Sequence, residues 1–246
     1  MKIIVCVARV IETTAKIKFK DDNSTFDDQG VQYILNPYDE WYSLVRALEL
    51  KEQVGGEVTV VHVGGPESDQ VIRKCLAIGA DNAIRIDTEP KTGDETAFLL
   101  GQQISTMEYD IIFTGQETVD YNGGVVPSML SAHLDIPYVG IVSHMELKDG
   151  QTVLSRQIEG GIEVVQSDLP LVLSATKDLA QQRIPNMKGI MMAKRKPIDV
   201  VEPKDYEPGA SIDQFHLPQK EKTITYVDPD NMDELVRLLH EEAKVI

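Results

Sequence analysis

Short apolar runs rich in β-branched residues alternate along the chain with longer amphipathic stretches. This pattern predicts parallel strands joined by crossover helices, and therefore an α/β protein built on a doubly wound, mostly parallel sheet. The predicted strands are residues 3–7, 58–63, 82–86, 110–114, 138–141 and 171–174. The predicted helices are residues 38–54, 68–78, 94–107 and 124–134. In such a sheet the loops after Val7, Val63 and Thr114 lie together at one edge, where ligands bind.

The pattern changes towards the middle of the chain. Two runs that alternate polar and apolar residues, 140–146 and 152–158, flank a Lys-Asp-Gly turn at 148–150. They predict an antiparallel excursion from the parallel sheet. Arg156 and Glu163 then flank a Gly-Gly pair, which predicts a hairpin with a surface ion pair worth about 0–1 kcal/mol.

The last fifth of the chain is rich in proline and acidic residues. Such a segment buries too little apolar surface to fold alone, so it predicts an extended arm that lies over another surface. The arm ends in a predicted helix, residues 229–244, with Asp228 as the N-cap and Pro229 at the first position. We therefore divide the chain into a nucleotide-binding-type α/β domain, residues 1–197, and an arm, residues 198–246, which docks on its own domain or on a partner.

The net charge and the cysteines limit the partners and the cellular compartment that the sequence predicts. The 246 residues carry a formal net charge of −16, which repels phosphate backbones and argues against a nucleic acid partner. Cys6 and Cys75 lie inside apolar runs, as buried thiols in a reducing compartment do. No apolar run approaches the roughly 18 residues that span a bilayer, and no signal peptide precedes the first strand. The sequence predicts a cytoplasmic protein without membrane insertion.

A Gly123-Gly124 pair follows one predicted strand and opens the predicted helix 124–134. Glycines let a backbone approach a ligand, and a helix that begins there directs free N–H groups and the positive end of its dipole at an anion. The loop carries neither the Lys-Ser/Thr of a Walker motif nor a GxGxxG fingerprint. It predicts a phosphate site with backbone donors or, alternatively, an ordinary strand-to-helix turn.

Two further loops open helices at the same predicted edge. Asn36 precedes Pro37, and its amide both donates and accepts hydrogen bonds, as the edges of adenine and ribose require. Val63 is followed by Gly64 and Gly65, which leave room for a flat ring. Three such loops at one edge of a sheet predict a nucleotide pocket.

No catalytic motif joins these loops in the sequence. The five histidines have no HxxxH or HxH spacing and there is no GxSxG, so we predict structural or surface roles for the histidines. Asp120 offers a carboxylate to a metal or a ribose hydroxyl, but an acidic residue in this position is more often a helix cap. We predict binding without bond-making chemistry, with no catalytic residue and no metal.

Residues 182–196 combine apolar and basic side chains. Met187, flanked by Pro185 and Gly189 and preceded by Ile184, is predicted at the tip of a loop. A projecting methionine is an adaptable anchor for the apolar pocket of a partner. The alternative is a core methionine on a helix that begins near Gly189, which fits the apolar residues after Gly189 better than it fits Met187.

The segment over residues 156–175 reads RQIEGGIEVVQSDLPLVLSA. With this segment the chain resembles the β subunit of electron transfer flavoprotein, and the resemblance covers its whole length. Four other features keep the family's order and spacing: the Asn36-Pro37 element, the turn at 79–81, the glycine loop and residues 190–196. The resemblance implies a fold like that of the adenine nucleotide α-hydrolases.

The resemblance also implies a heterodimer whose α subunit holds most of a redox-active FAD, while the β subunit binds AMP structurally. Electrons pass from acyl-CoA or other dehydrogenases, as in fatty acid oxidation, toward a quinone oxidoreductase and the quinone pool. The implied AMP pocket consists of Cys6, Asn36, Pro37, Tyr38, Asp39, Val63, Gly115, Asp120, Asn122, Gly123, Gly124, Val125 and Val126. The implied docking residues are Ile184, Pro185, Met187 and Gly189. The arm and its helix wrap the α subunit.

The sequence departs from many family members at residues 123–127, where GGVVP replaces polar residues. Side-chain contacts to a phosphate are lost there, and two occupants stay open. One is AMP; the other is the second FAD of electron-bifurcating relatives, which use NADH as donor. Outside the family, the alternative is an ATP-hydrolysing or stress-protein-like nucleotide-binding protein, against which the absence of Lys or Arg at 123–126 argues.

Overall fold

The computed structural model describes residues 1–148, 151–218 and 224–246. Their strands are β1 (Lys2–Cys6), β2 (Arg9–Ile11), β3 (Phe19–Lys20), β4 (Thr25–Phe26), β5 (Tyr33–Leu35), β6 (Glu57–Val63), β7 (Asn82–Ile86), β8 (Ile111–Gly115), β9 (Tyr138–Lys148), β10 (Gln151–Ile158), β11 (Gly161–Ser167), β12 (Leu171–Ala175) and β13 (Asp199–Val201). Nine of them form one sheet in the order β11-β10-β9-β12-β8-β1-β6-β7-β13. Only the pairs β9–β10 and β10–β11 of this described sheet are antiparallel, so a mostly parallel sheet with an antiparallel excursion is confirmed.

Helices cover both faces of the sheet. They are α1 (Asp39–Val54), α2 (Asp69–Ile78), α3 (Gly93–Ile104), α4 (Val126–Leu134), α5 (Met187–Ala193) and α6 (Met232–Arg237). A 3₁₀ turn, Pro66–Ser68, precedes α2, and a π-helical turn, Leu238–Glu242, follows α6. Helices α1, α2 and α5 pack on one apolar face, and α3 and α4 on the other. No helix in the described part of the chain is long and apolar enough to cross a membrane.

The helices and strands predicted before residue 175 are all present. Most ends differ from the prediction by up to three residues, whereas the strand predicted to end at residue 141 continues to Lys148. The two ribbons β2–β5 and β3–β4 were not predicted, because strands of two or three residues carry no readable periodicity. Most of the turn predicted at 148–150 lies outside the described residues.

The arm lies partly on its own domain. Residues 199–201, which the composition places in the arm, form β13 and pair with β7. Farther along, the ring of Phe215 stacks on that of Phe19, with centroids 5.1 Å apart. Sequence analysis alone does not detect either contact, since both join segments far apart in the chain.

The terminal helix differs from its prediction. Helix α6 begins at Met232, and the side chain of Asn231, at 3.3 Å from the Glu234 amide, is its N-cap. The placement of Asp228 as N-cap, with Pro229 at the first position, is therefore wrong. The carbonyl of Asp228 instead accepts a hydrogen bond from the Asn231 N–H at 2.9 Å, and this turn delays the start of the helix.

Candidate functional site

Three strand ends meet at the carboxyl edge of the sheet. Strand β1 lies between β6 and β8 and is parallel to both, so Cys6, Val63 and Gly115 end neighbouring strands. All three residues are buried. The predicted gathering of the three loops at one edge is confirmed.

Helix α4 begins at Val126, two residues later than predicted, with Val125 as its N-cap residue. Gly124 has a left-handed φ of 61°, which turns the chain into the helix and is the conformation that glycine adopts most readily. Among the described residues, no side chain caps this terminus, and its first turn contains no acidic residue. Pro127 brings no N–H, so the backbone donors at this end are those of Val126, Ser128 and the preceding glycines. An anion is the natural partner of such a terminus.

Helix α3 begins beside α4 but has a closed terminus. A Cβ on Gly93 would lie 2.6 Å from a methyl carbon of Val125, so the two helix starts touch. The Thr92 side chain accepts a hydrogen bond from the Glu95 N–H at 3.1 Å, and the Glu95 carboxylate accepts one from the Lys91 N–H at 2.7 Å. Thr92 therefore caps α3, and the Glu95 carboxylate places a negative charge at its start. Within the described part of the chain, the start of α4 has neither a side-chain cap nor an acidic residue, and a single phosphate fits it.

The Asn36 side chain is buried and bonded to the glycine loop. Its Nδ2 donates to the Glu117 carbonyl at 2.9 Å, and its Oδ1 accepts from the Val119 N–H at 3.4 Å. Asp39 accepts a further bond from the Glu117 N–H at 3.2 Å. The amide thus holds residues 117–119 in place, and its predicted contact with a nucleotide stays a prediction.

The remaining predicted pocket residues surround the loop. Pro37 is partly buried, while Tyr38 is exposed beside the start of α1. Asp120 accepts a bond from the next N–H, that of Tyr121, at 2.8 Å, as a local turn does. Asn122 has a left-handed φ of 50°. The site therefore combines buried strand ends with an exposed loop.

Sequence analysis did not identify Glu40 as part of this site. Its side chain is buried in the first turn of α1, and a Cβ on Gly115 would lie 2.7 Å from its Cγ. Burial, aided by the charges of Asp39 and Asp120 and opposed by the hydrogen bond from the Ala8 N–H, raises the pKa of Glu40 to about 8. Glu40 is therefore a protonated carboxyl at neutral pH. In the sequence it is indistinguishable from an acidic residue that complements a helix dipole.

Both cysteines and one histidine are buried. Cys6 and Cys75 are both buried and unpaired with each other, and burial raises the pKa of each thiol. The Nδ1 of buried His62 lies 2.7 Å from the Val7 carbonyl, and burial lowers the pKa of His62 to about 4. The burial predicted for the two thiols is confirmed. Within the described ranges, no three His, Cys, Asp or Glu side chains are grouped to hold a metal.

The residues predicted to dock a partner lie at or just before the start of α5. Met187 is the first residue of α5 and is 74% exposed, and Ile184 is 88% exposed. The Asn186 side chain caps α5 by accepting the Gly189 N–H at 2.8 Å. The prediction of a loop tip at Met187 is therefore wrong, because Asn186 begins the helix three residues before Gly189. The apolar exposure predicted for Met187 is confirmed.

The hairpin that carries the distinctive segment is formed by β10 and β11. Arg156 lies directly opposite Glu163, with Nε and Oε2 3.6 Å apart. The predicted hairpin with a surface ion pair is confirmed.

The sequence matches a known protein family and several of its members. The sequence profile of the electron transfer flavoprotein domain matches residues 23–206. The chain is similar to the electron transfer flavoprotein subunit beta of Bacillus subtilis, with 34% identity over 260 positions that cover all of both chains. It is 29% identical to the protein of the same name from Homo sapiens, over 83% of this chain and 82% of that one. It is 32% identical to the caffeyl-CoA reductase-Etf complex subunit CarD of Acetobacterium woodii, over 81% and 78% of the two chains.

Proposed function

Because the chain belongs to the electron transfer flavoprotein β subunit family, we propose that it is the β subunit of a heterodimeric electron carrier. The observation that carries this proposal is the open start of α4, behind Gly123 and Gly124, at the edge where three strands end. It supports a nucleotide held by its phosphate. The subunit binds and positions cofactors, and it performs no bond-making chemistry of its own.

The proposed occupant of this edge is AMP. The phosphate accepts hydrogen bonds from the N–H groups around Val126, where the positive end of the α4 dipole favours its charge. The buried ends of β1, β6 and β8 form the floor below it. The start of α3 supports a single phosphate, since Thr92 already caps it and the Glu95 carboxylate there repels a second one.

The redox cofactor in this proposal is an FAD held mainly by the α subunit. An acyl-CoA dehydrogenase or another dehydrogenase reduces the flavin, and the flavin passes electrons toward a quinone oxidoreductase. Exposed Met187 and Ile184 support a docking role for the start of α5 on the dehydrogenase. The exposed apolar residues of α6 support contact between the arm and the α subunit.

The similarity to CarD favours a second candidate function, that of an electron-bifurcating subunit. That relative is named as a subunit of a caffeyl-CoA reductase-Etf complex. The second candidate is a subunit of an electron-bifurcating complex, with a second FAD in place of AMP and NADH as donor. The open terminus at α4 alone favours AMP over this alternative. An ATP-hydrolysing protein is disfavoured by the lack of Lys or Arg at residues 123–126.

Co-expression with the α subunit tests the proposal. We expect a yellow heterodimer that an acyl-CoA dehydrogenase and its acyl-CoA substrate reduce. Acid release of its nucleotides should give one FAD and one AMP. Two FAD would select the bifurcating candidate, and a colourless protein that hydrolyses ATP would contradict both.

A further inference from the structure

Residues 182–187, here called the docking segment, are bonded to helix α1 at its start. The indole Nε1–H of Trp41 donates to the carbonyl of Arg183 at 3.2 Å. The Gln182 Nε2 donates to the carbonyl of Pro37 at 2.6 Å, just before α1 begins. Both bonds join positions more than 140 residues apart in the chain. Two neighbouring residues of an otherwise irregular segment are thus tied to one helix.

The other end of α1 binds the same segment. The Arg183 guanidinium contacts both carboxylate oxygens of Glu52, at 2.6 and 3.0 Å, and lies 3.8 Å from Glu49. These groups are partly exposed, so each ion pair alone contributes little. The fork geometry nevertheless fixes the direction of the side chain.

Trp41 is itself held in position. The Lys74 ammonium, on helix α2, lies 3.9 Å from the centroid of the indole ring. A cation above an aromatic face is attracted by the ring electrons. The indole therefore bridges α1, α2 and the docking segment, and its N–H has a fixed direction.

The chain after the docking segment is fixed to α2. Gly189 packs directly on the carbonyl of Ala77 at the end of α2, where a Cβ would not fit. Arg73 donates to the Ala193 carbonyl at 2.7 Å, at the last turn of α5. The docking segment is therefore held on both sides, while Ile184 and Met187 extend into solvent. Anchors that are already ordered lose less entropy when a partner binds them.

We propose that Trp41 and Gln182 are positioning residues for partner docking. They hold the docking segment against α1 in the conformation that presents Ile184 and Met187 together. The inference rests on the proposed function for the identity of the partner, a dehydrogenase with an apolar pocket. The positioning itself belongs to this chain and is measurable without the partner.

The test uses Trp41→Phe, which keeps the ring and removes the donor, and Gln182→Ala, each in the heterodimer. The matched control is Gln181→Ala, at the exposed neighbouring glutamine. The N–H groups of Gly189 and Ile190 are bonded to Asn186 of the docking segment, so their hydrogen exchange reports on how firmly the segment is held. We expect exchange at these two amides to become about two- to tenfold faster in both variants, the range for one lost hydrogen bond. The control should exchange like the wild type and keep its thermal midpoint, and the flavin content should be unchanged in all variants.

The second readout is reduction by an acyl-CoA dehydrogenase. We expect the KM for the heterodimer to rise about two- to tenfold in both variants, with little change in kcat. Unchanged exchange would overturn the attachment to α1, and faster exchange with an unchanged KM would overturn the role in docking. If the wild-type heterodimer is not reduced at all, the proposed function fails, while hydrogen exchange still decides whether Trp41 and Gln182 hold the segment.

Discussion

The backbone N–H of Ala8 donates a hydrogen bond to the carboxyl group of Glu40, joining the end of strand β1 to the first turn of helix α1. The Glu40 side chain is buried, and the residue as a whole is only 7% exposed. A carboxyl in this position is costly to ionise, because burial removes the water that stabilises its charge. The bond therefore places a titratable group beside Gly115, where the glycine loop begins.

Glu40 should make the protein less stable as the pH rises. Its folded pKa of about 8 exceeds its ordinary value of 4.5, so between these values the folded state binds a proton that the unfolded state does not. The free energy of unfolding then falls by about 1.4 kcal/mol per pH unit until the pH passes the folded pKa. Glu40→Gln should remove this dependence, which amounts to about 2–3 kcal/mol between pH 6 and pH 9.

Urea unfolding of the wild type, Glu40→Gln and an exposed control, Glu159→Gln, measures the effect. The control should follow the wild type at both pH values. An identical loss of stability in the wild type and Glu40→Gln would contradict the raised pKa.

Gly115→Ala should destabilise the site. The added Cβ would lie 2.7 Å from the Glu40 Cγ and 3.1 Å from the Asp39 Cβ, so α1 has to move. Overpacking of this kind costs about 1–3 kcal/mol. Gly161→Ala is the control, since within the described part of the chain no atom lies within 4 Å of its added Cβ. Thermal unfolding compares the two, and equal midpoints would argue against the close packing of Gly115 on Glu40.

Ser128→Asp should stabilise helix α4 and weaken nucleotide binding. An acidic residue in the first turn of α4 complements the dipole and stabilises the helix by about 0.3–1 kcal/mol. The same charge repels a phosphate at this terminus, so AMP per heterodimer should fall while the thermal midpoint of the nucleotide-free protein rises slightly. Ser128→Asn, neutral and nearly isosteric, should retain AMP. Full AMP content in Ser128→Asp would place the phosphate elsewhere.

Met187→Ala should weaken docking without affecting the cofactor. Truncation of a central apolar anchor typically costs about 1–3 kcal/mol of binding free energy. The KM for reduction by the dehydrogenase should therefore rise roughly tenfold, with flavin content unchanged. Met192→Ala removes a similarly exposed methionine later in α5 and serves as the control. Equal KM values for the two variants would mean that Met187 is not the anchor.

Sequence analysis predicted the sheet and the convergence of its loops, because apolar runs of five residues and long amphipathic helices carry a clear periodicity. It failed where two local signals compete. Asp228 and Asn231 are both good N-caps, and only the structure shows that Asn231 begins α6. At the site, the glycines of the loop were evident from the sequence, whereas the burial of Asn36 and Glu40 depends on contacts with residues 117–119 and Ala8.

Helix α1 contacts both sites of the proposed function, the nucleotide edge and the docking segment. It begins at the nucleotide edge and, along its 16 residues, binds the docking segment at Trp41, Glu49 and Glu52. A straight helix of this length is a rod of about 24 Å. In the proposed complex, a rigid α1 would keep the separation between the nucleotide and a docked dehydrogenase constant during turnover. The proposal then assigns any motion that brings the flavin closer to its donor to the α subunit, with this chain as the stationary reference.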